Sequence, residues 1–498
     1  TTVRWENEGE NIAEYGDKNN KNYQGLSNIN MHSGEGVVFR NFGSTFTGKL
    51  RPSDSIFDKS VYQISLNIDV SNRCLLGYLN SNLYRSIIQG INPSLNFNPS
   101  DAGAVPFKLS FDNSNEIESL VEKCIQSRKQ QFETYESARE FDGSCFPDLS
   151  QIGDLVYEFL YKEEKYEANI AVLHSKLDEY IYKEYDVPER KRDDLNNTLS
   201  SNYIQFPYIT SENNVDPLSS TSFDSDIPSR TIDMDEYDEL VESISSNSNK
   251  GIAELSEYLE ISPYSVVALR YEHDLYTDDE REKIAARLLS YYLGCIMGRW
   301  NLDGCTSESD GILVFDDQFD TYVERRIREC IKLTFDDPYE SETRIEEMLG
   351  RDPIVWLRNR FFRYHHCKEY RRRGQRIPIY WHLESDEGAF SCFVYYHMMD
   401  SDTLPKLRGQ YIDKKLDTLQ NRLEAIESEL ETADGGHARD LRSEKEEIQA
   451  NIDDITEFRN RVDALIEEGF EPDFGAGIWD NIQKVDEHDL LAVPLDKL

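Results

Sequence analysis

The chain has 498 residues and a formal net charge of −41, from 95 acidic and 54 basic residues. Hydrophobic residues make up 38% of it and aromatic residues 11%, which excludes a wholly disordered chain and allows about two to four domains. The acidic residues are spread along the chain instead of forming one block. This spread favours a surface kept hydrated in a high-salt cytoplasm over a disordered acidic tail.

The eight cysteines are scattered and form no C-x-x-C pair. This spacing argues against a disulfide scaffold and a zinc ribbon, and it indicates free thiols in a reducing compartment. The first residues lack the basic start and apolar run of an export signal, and no stretch approaches the roughly 18 apolar residues of a membrane helix. We therefore expect a cytoplasmic protein with no membrane partner.

In chain order, residues 1–112 are predicted to be β-rich, because short runs such as Val37–Phe39 and Val61–Ile68 stand between turn residues. One helix is predicted within this region, from about Asn72 to Ile88. Residues 113–208 carry apolar residues at helical spacing and are predicted to form a helical connector.

Residues 209–270 are rich in Ser, Asn and Asp and are expected to be an acidic linker or insert. Within them, Gly251–Leu269 has weak features of a helix-turn-helix, for which the alternative is a plain helical pair. Residues 271–403 are predicted to be a helical domain that contains a basic segment and two short strand-like stretches, Ile377–Trp381 and Ala389–Tyr396.

Residues 404–466 have the clearest periodicity in the chain. Apolar residues recur at steps of four and three on either side of Gly435-Gly436. This pattern predicts an antiparallel coiled-coil hairpin that turns at these two glycines and has arms of roughly 40 Å. Residues 467–498 form a C-terminal tail. The expected fold class is α+β, with a β-rich domain followed by mainly helical domains and the hairpin.

Between Arg351 and Arg376 the charge changes sign. The segment has nine Lys and Arg residues against two acids, a local charge of +7, so the rest of the chain sums to −48. Five aromatic residues are interleaved with the cations: Trp356, Phe361, Phe362, Tyr364 and Tyr370. Cations mixed with flat rings are typical of nucleic-acid-binding surfaces. The alternative is a solvated basic helix paired with acidic neighbours.

The motifs that a DNA amino-methylase needs for catalysis are missing from the sequence. We find no glycine-rich turn after a predicted strand to hold S-adenosylmethionine, and no Asn/Asp/Ser-Pro-Pro-aromatic loop. Asn92-Pro93-Ser94-Leu95 lacks the second proline and the aromatic residue, and we interpret it as a turn. His365-His366-Cys367 are adjacent in sequence, and adjacent residues rarely converge on one metal ion. We predict no catalytic residue, cofactor or metal in this chain.

Several short sequence segments (called phrases below), in order along nearly the whole chain, resemble the C-terminal half of the PglX-type adenine-specific DNA methyltransferases of BREX phage-defence systems. This half is the target-recognition part of those enzymes. The same phrases occur in related type II restriction-modification methylases. They are Phe46-Thr47-Gly48-Lys49-Leu50-Arg51-Pro52, Leu76-Gly77-Tyr78-Leu79-Asn80-Ser81, Leu293-Gly294-Cys295-Ile296-Met297-Gly298-Arg299-Trp300, Arg376-Ile377-Pro378-Ile379-Tyr380-Trp381 and Gly477-Ile478-Trp479-Asp480-Asn481-Ile482. Together with the acidic composition, the resemblance suggests a haloarchaeal member of the family.

The resemblance implies that this chain chooses the DNA sequence while a separate methylase half binds S-adenosylmethionine and methylates adenine at N6. The expected partners are double-stranded DNA, the methyltransferase half or subunit, and other defence-system proteins. Phosphate and base contacts are expected from nine cations: Lys49, Arg51, Arg85, Arg358, Arg360, Arg363, Arg371, Arg372 and Arg373.

Two other functions remain open at this level. A free-standing specificity subunit of the type I restriction kind would use the coiled coil to dock separate methylase subunits. An acidic scaffold or DNA mimic would bind a partner protein and no DNA. Retention of DNA at molar KCl would separate the scaffold from the other two.

Overall fold

The computed structural model of the chain describes residues 34–53, 55, 61–64, 70–108, 113–138, 141, 143, 146, 152–198, 208–211, 229–242, 251–273, 278–305, 309–315, 320–372 and 375–497. Arg373 and the first 33 residues, for which predictions were made above, lie outside this set. The chain forms two compact units, Thr1–Gln131 with Tyr161–Leu275 and Phe132–Leu160 with Tyr276–Leu498. The predominance of helices, with small and mostly antiparallel sheets, is consistent with the predicted α+β class.

The first unit begins with an antiparallel sheet in the order β2–β1–β3. Its strands are β1 (Gly36–Arg40), β2 (Gly48–Arg51) and β3 (Val61–Ile64). Alternation along β1 buries Val37 and Phe39 in the core and leaves Arg40 exposed on the other face. The strands predicted around Val37–Phe39 and at the start of Val61–Ile68 are confirmed, and residues 65–68 lie outside the described set.

The helices that follow are α1 (Asn72–Asn80), α2 (Asn82–Ile91), α3 (Pro99–Ala104), α4 (Ser114–Glu133), α5 (Ile152–Glu184) and α6 (Glu189–Thr198). The prediction of one helix from Asn72 to Ile88 is wrong at Ser81, which has a non-helical backbone (φ −68°, ψ 152°). Its hydroxyl donates to the carbonyl of Tyr78 (2.7 Å) and accepts from the amide of Tyr84 (3.2 Å). One serine thus ends the first helix and caps the second.

Much of the segment predicted as an acidic linker or insert is folded in the described residues. It contains β4 (Tyr208–Ser211), β5 (Ser229–Ile232), α7 (Met234–Glu242), α8 (Ile252–Leu259) and α9 (Pro263–His273). The two strands are parallel, and the apolar residues of the helices share a core with α5. Residues 263–270 of α9 are all buried, so this helix lacks the exposed face that a recognition helix places in a DNA groove. The plain helical pair therefore fits α8 and α9.

The second unit contains α10 (Asp278–Ile296), α11 (Asp320–Thr334) and α12 (Pro338–Leu349), followed by an antiparallel sheet. The strands of the sheet are β6 (Ile312–Phe315), β9 (Tyr380–Glu384) and β10 (Ser391–Tyr395), in the order β6–β10–β9. All of these strand residues except Glu384 are buried, so both faces of the sheet are covered. The two strand-like stretches predicted in this region correspond to β9 and β10.

The basic segment lies between α12 and this sheet. It forms α13 (Pro353–Trp356), a π-helix (Leu357–His366), α14 (Cys367–Glu369) and a short hairpin of β7 (Arg371–Arg372) and β8 (Gln375–Arg376). A ten-residue π-helix is rare, and π-helical turns are frequent at functional sites.

The C-terminal part contains a 3₁₀ turn (Tyr396–Met398), α15 (Thr403–Lys406), a second π-helix (Leu407–Ile412), α16 (Asp413–Leu430), α17 (Gly435–Glu467), α18 (Ile478–Asp486) and a last 3₁₀ turn (Leu495–Lys497). Ion pairs join α16 to α17, Arg422 to Glu444 (2.8 Å) and Glu427 to Lys445 (2.6 Å). Residues 431–434 connect the two helices, so Gly435-Gly436 begins the second helix instead of forming the turn. None of the described helices is both long and apolar enough to cross a membrane.

Candidate nucleic-acid interface

The π-helix of the basic segment is anchored by its buried side. Five of its residues are buried: Leu357, Phe361, Phe362, His365 and His366. His366 Nε2 accepts the backbone N–H groups of Ile379 and Tyr380, each at 3.0 Å. Burial lowers the pKa of His366 well below its usual value, which keeps the ring neutral and able to accept. Because two amides occupy Nε2, this nitrogen is not available to a metal ion.

The opposite side of the same helix presents cations around one exposed tyrosine. The Tyr364 side chain is 46% exposed, and three cationic groups lie near its ring, Arg360 at 4.4 Å, Lys368 at 5.9 Å and Arg363 at 6.0 Å from the centroid. We call these four residues the Tyr364 cluster. Cation–π attraction offsets part of the repulsion between the three charges.

The cations of the Tyr364 cluster differ in their partners from several basic residues of the unit that are paired with carboxylates. Elsewhere, Arg328 pairs with Glu342 (2.9 Å) and Arg344 with Glu347 (2.7 Å). Within the part of the chain that the structure describes, no carboxylate lies within ion-pair distance of the three cluster cations. In a chain with a net charge of −41, cations without acidic partners indicate a surface that attracts an anion from outside.

The remaining predicted cations of this segment are placed differently. Arg358 is partly buried and faces β9. Burial lowers the pKa of His382 in this strand to about 3, and the charge of Arg358 contributes to the shift. Arg371 is exposed, and it lies opposite Arg376 in the strand register of the β7–β8 hairpin. Arg372 belongs to the same hairpin, but its side chain, like all of Arg373, lies outside the described set.

A buried polar cluster, which the sequence did not reveal, supports the segment from behind. The Glu136 carboxylate accepts the hydroxyl of Ser290, and its backbone carbonyl accepts Arg299 (2.9 Å) and Tyr370 (3.2 Å). His365 Nε2 lies 3.8 Å from the Glu136 carboxylate. Burial raises the pKa of Glu136 to about 7 and lowers that of His365 to about 3. In a chain with 95 acidic residues, nothing in the sequence distinguishes Glu136.

In the first unit, Arg51 and Arg85 are buried. Arg51 is 4% exposed and donates to Gln63 Oε1 (2.9 Å) and to backbone carbonyls that include that of Gly34 (2.6 Å). Arg85 is 3% exposed and donates to the carbonyl of Phe46 (3.3 Å). Both guanidinium groups hold the sheet and its loops, and in this conformation neither is presented to a ligand.

Lys49 is exposed on the outer face of the same sheet. In the pairing of β1 with β2, Lys49 lies opposite Val38. Arg40 comes two residues after Val38 on the same strand, so it lies diagonally across from Lys49 on the same face. Arg40 was not among the predicted contacts, although alternation from the buried Val37 and Phe39 already points it outward. Among the described residues, no carboxylate lies within ion-pair distance of Arg40 or Lys49.

The region around this sheet is also basic relative to the rest of the chain. Residues 34–108 contain seven Lys and Arg residues against five Asp and Glu residues. The basic residues are Arg40, Lys49, Arg51, Lys59, Arg73, Arg85 and Lys108, and the acidic ones are Glu35, Asp54, Asp58, Asp69 and Asp101. Each unit therefore contains a stretch in which basic residues outnumber acidic ones, although the chain as a whole is acidic.

Comparison with known proteins relates the chain to adenine-specific methyltransferases. It is 22% identical over 98% of its length to the adenine-specific methyltransferase BrxX of Escherichia coli O9:H4 (strain HS). It is 20% identical over 99% of its length to the adenine-specific methyltransferase PglX of Lacticaseibacillus casei (strain Zhang). The chain spans 38% of the length of each of these relatives. No family model matches the chain.

Proposed function

We propose that this chain is the DNA-recognition part of an adenine-specific methyltransferase used in phage defence, and that the catalytic domain lies outside it. The similarity to two adenine-specific methyltransferases supports the family, and the share of their length that is matched leaves room for a separate catalytic part. On this proposal S-adenosylmethionine and N6 methylation of adenine belong to that other part. Duplex DNA and the other proteins of the defence system are the partners.

The Tyr364 cluster is the observation that carries the proposal. Three cations without acidic partners among the described residues lie around an exposed ring, on a helix whose other side is fixed by buried hydrogen bonds. DNA phosphates supply the missing anions, and their neutralisation releases condensed counterions. Arginine suits this role because its planar donors match two phosphate oxygens at once. These contacts fix the register on DNA and carry no sequence information.

Sequence discrimination then falls to the first unit. Lys49 and Arg40 lie on the exposed face of a three-stranded sheet, where they attract the DNA backbone. Small sheets and their loops can then present neighbouring side chains to base edges in the major groove. Arg51 and Arg85 act as positioning residues on this proposal, since their hydrogen bonds fix the strand and the loop that lead to Lys49.

The pair α16 and α17 serves as a spacer. Its apolar residues recur at coiled-coil spacing, and ion pairs join the two helices. A rigid hairpin of this kind sets the distance between the recognition part and whatever docks at its end. The acidic surface keeps the protein hydrated in concentrated salt, where screening weakens its repulsion of DNA.

One titration series tests the proposal. The purified chain is mixed with a labelled pool of random duplex DNA over a KCl series, and separately with S-adenosylmethionine in a calorimeter. We expect DNA binding that weakens as log KCl rises, and no heat of cofactor binding at micromolar concentration. Micromolar binding of S-adenosylmethionine would contradict the division of labour. Absence of DNA binding at every salt concentration would contradict the proposal and favour the alternative function of an acidic scaffold.

A further inference from the structure

Two loops at one end of the sheet in the first unit are tied together by their backbones. One follows β1 and the other follows α2. The amide of Gly43 donates to the carbonyl of Leu95 (2.9 Å), and the amide of Phe97 donates to the carbonyl of Asn41 (2.8 Å). These bonds flank a β-bridge between the two loops.

The loop after α2 is fixed further by its own side chains. Asn92 accepts the amide of Ser94 (2.9 Å) and donates to the carbonyl of Asn96 (2.7 Å) and to the carboxylate of Asp101 (2.6 Å). This is the turn around Pro93 that the sequence predicted. The two loops therefore form one hydrogen-bonded ledge.

Each loop has one aromatic anchor and one exposed apolar tip. The anchors are Phe46 and Phe97, which are buried and contact each other with ring centroids 5.4 Å apart. The tips are Phe42, 61% exposed, and Leu95, 51% exposed. Exposed apolar side chains on a hydrogen-bonded ledge are candidates for a surface that a ligand covers.

The charges beside the tips indicate what that ligand is. Arg40 comes two residues before Phe42, and Lys49 lies diagonally across from Arg40. The described residues place no carboxylate within ion-pair distance of either cation. Apolar tips flanked by such cations suit a ligand with an anionic backbone and flat apolar faces inside it, which duplex DNA provides.

We propose that the ledge inserts an apolar tip, Phe42, as a wedge between adjacent base pairs of duplex DNA while Arg40 and Lys49 contact the flanking phosphates. This inference rests on the proposed function and adds a second mode of sequence selection to it. Pyrimidine–purine steps unstack most easily, so a wedge selects sites by deformability as well as by base-edge contacts. Because the ledge is already ordered, little conformational freedom is lost on insertion.

The test uses a duplex selected from a random pool by the unaltered chain. Permanganate reactivity at each thymine and 2-aminopurine fluorescence at each adenine report unstacking in the complex. The wedge variant is Phe42→Ser with Leu95→Ser, and the control is Tyr339→Ser, which removes an 83% exposed ring from the second unit. A further variant, Arg40→Gln with Lys49→Gln, removes the flanking charges.

We expect local unstacking with the unaltered chain and the control, and its loss in the wedge variant. Affinity should fall about tenfold in the wedge variant, as expected when one or two apolar side chains are no longer buried against the bases. The charge variant should keep the unstacking and show a weaker salt dependence. The wedge is wrong if the chain binds the duplex without unstacking it, or if the wedge variant keeps full affinity. In either case the proposed function stands, and the exposed tips belong to a protein interface. If the selection yields no duplex, both fail.

Discussion

Glu136 and His365 face each other in the interior of the second unit, where the uncharged form of each is favoured. Burial raises the pKa of Glu136 to about 7 and lowers that of His365 to about 3. The hydroxyl of Ser290 donates to the Glu136 carboxylate, and this bond offsets part of the cost of its charge. Residues of this kind cannot be found from sequence, because their chemistry depends on neighbours that are distant along the chain.

We predict that Glu136→Gln removes one component of the pH dependence of stability. The folded-state pKa of Glu136 is raised above the ordinary 4.5. The stabilisation that its neutral form contributes to the folded state is therefore fully present below about pH 4.5 and is lost as pH rises through about 7. The slope over this window is at most about 1.4 kcal/mol per pH unit. Denaturant unfolding followed by tryptophan fluorescence, at constant salt between about pH 4.5 and 8, measures it.

The difference in unfolding free energy between the native chain and Glu136→Gln isolates this residue from the buried histidines, whose lowered pKa values act in the opposite direction. We expect that difference to fall by up to about 3 kcal/mol across the window. Glu446→Gln, at an exposed position of α17, is the control for losing one carboxylate. Parallel pH curves for the native chain and Glu136→Gln would contradict the burial argument.

At the scale of elements, two glycines of the phrases that resemble the methyltransferase family allow close packing. A Cβ at Gly77 of α1 would come within 2.9 Å of Val121. A Cβ at Gly294 of α10 would overlap the ring of Trp300 and lie 3.1 Å from the Tyr380 hydroxyl. Gly294 thus lets Trp300 fold back against its own helix, beside Arg299 of the buried polar cluster.

We predict that Gly294→Ala destabilises the second unit by about 1–3 kcal/mol, because the Trp300 ring must move. Gly436→Ala is the matched control, since a Cβ there meets nothing within 4 Å and alanine gains up to about 1 kcal/mol of helix propensity. Thermal unfolding of both variants measures the effect. Equal midpoints for the two would show that the packing of Trp300 against Gly294 is unimportant.

The helical pair α16 and α17 gives a second prediction at this scale. Spin labels at the exposed Gln420 and Gln449 should lie within about 20 Å of each other, because packed helix axes are about 8–10 Å apart. Pulsed electron paramagnetic resonance measures this distance. A label pair at Gln420 and Glu467, at the far end of α17, should give a clearly longer distance. Equal distances for the two pairs, or a first distance beyond about 30 Å, would exclude the hairpin.

Elements were predictable where a strong local period exists. The strand starting at Gly36 follows from a β-rich run between turn residues, and the helices after Asp413 follow from apolar spacing. The break at Ser81 was not predicted, because the apolar spacing of α1 continues into α2 and only the hydrogen bonds of one serine interrupt it. The composition of residues 209–270 predicts an acidic linker or insert, and it does not reveal that Ile252, Leu255 and Leu259 build a core with α5.

At the scale of the whole molecule, the candidate interface was partly predictable from charge. The excess of cations between Arg351 and Arg376 marked the Tyr364 cluster, because a run of bases is conspicuous in an acidic chain. Charge alone could not separate presented cations from structural ones. Arg51 and Arg85 are 4% and 3% exposed, and their partners are backbone carbonyls that no sequence pattern identifies.

The net charge of −41 sets the physical problem that a DNA-binding function must overcome. At molar salt the screening length is roughly 3 Å, so distant carboxylates hardly affect a phosphate that touches Arg360 or Arg363. On the proposed function, short-range interactions then decide binding. Two surfaces, the Tyr364 cluster and the sheet with Lys49, present cations without acidic partners among the described residues and meet this requirement.

On the proposed function, the Tyr364 cluster contacts DNA phosphates. The direct test compares two variants that each lose three positive charges from the second unit. One carries Arg360→Gln, Arg363→Gln and Lys368→Gln. The other carries Arg328→Gln, Arg344→Gln and Lys445→Gln, which removes exposed cations that already pair with carboxylates.

The measurement is the slope of log affinity for duplex DNA against log KCl, with circular dichroism confirming that both variants fold. We predict that the cluster variant binds all sequences more weakly and that its slope becomes shallower by about 0.9 for each phosphate that is no longer neutralised. The control variant, with the same net charge, should keep the slope of the unaltered chain. Identical slopes for the cluster variant and the unaltered chain would contradict the account and reduce the segment to a solvated basic helix.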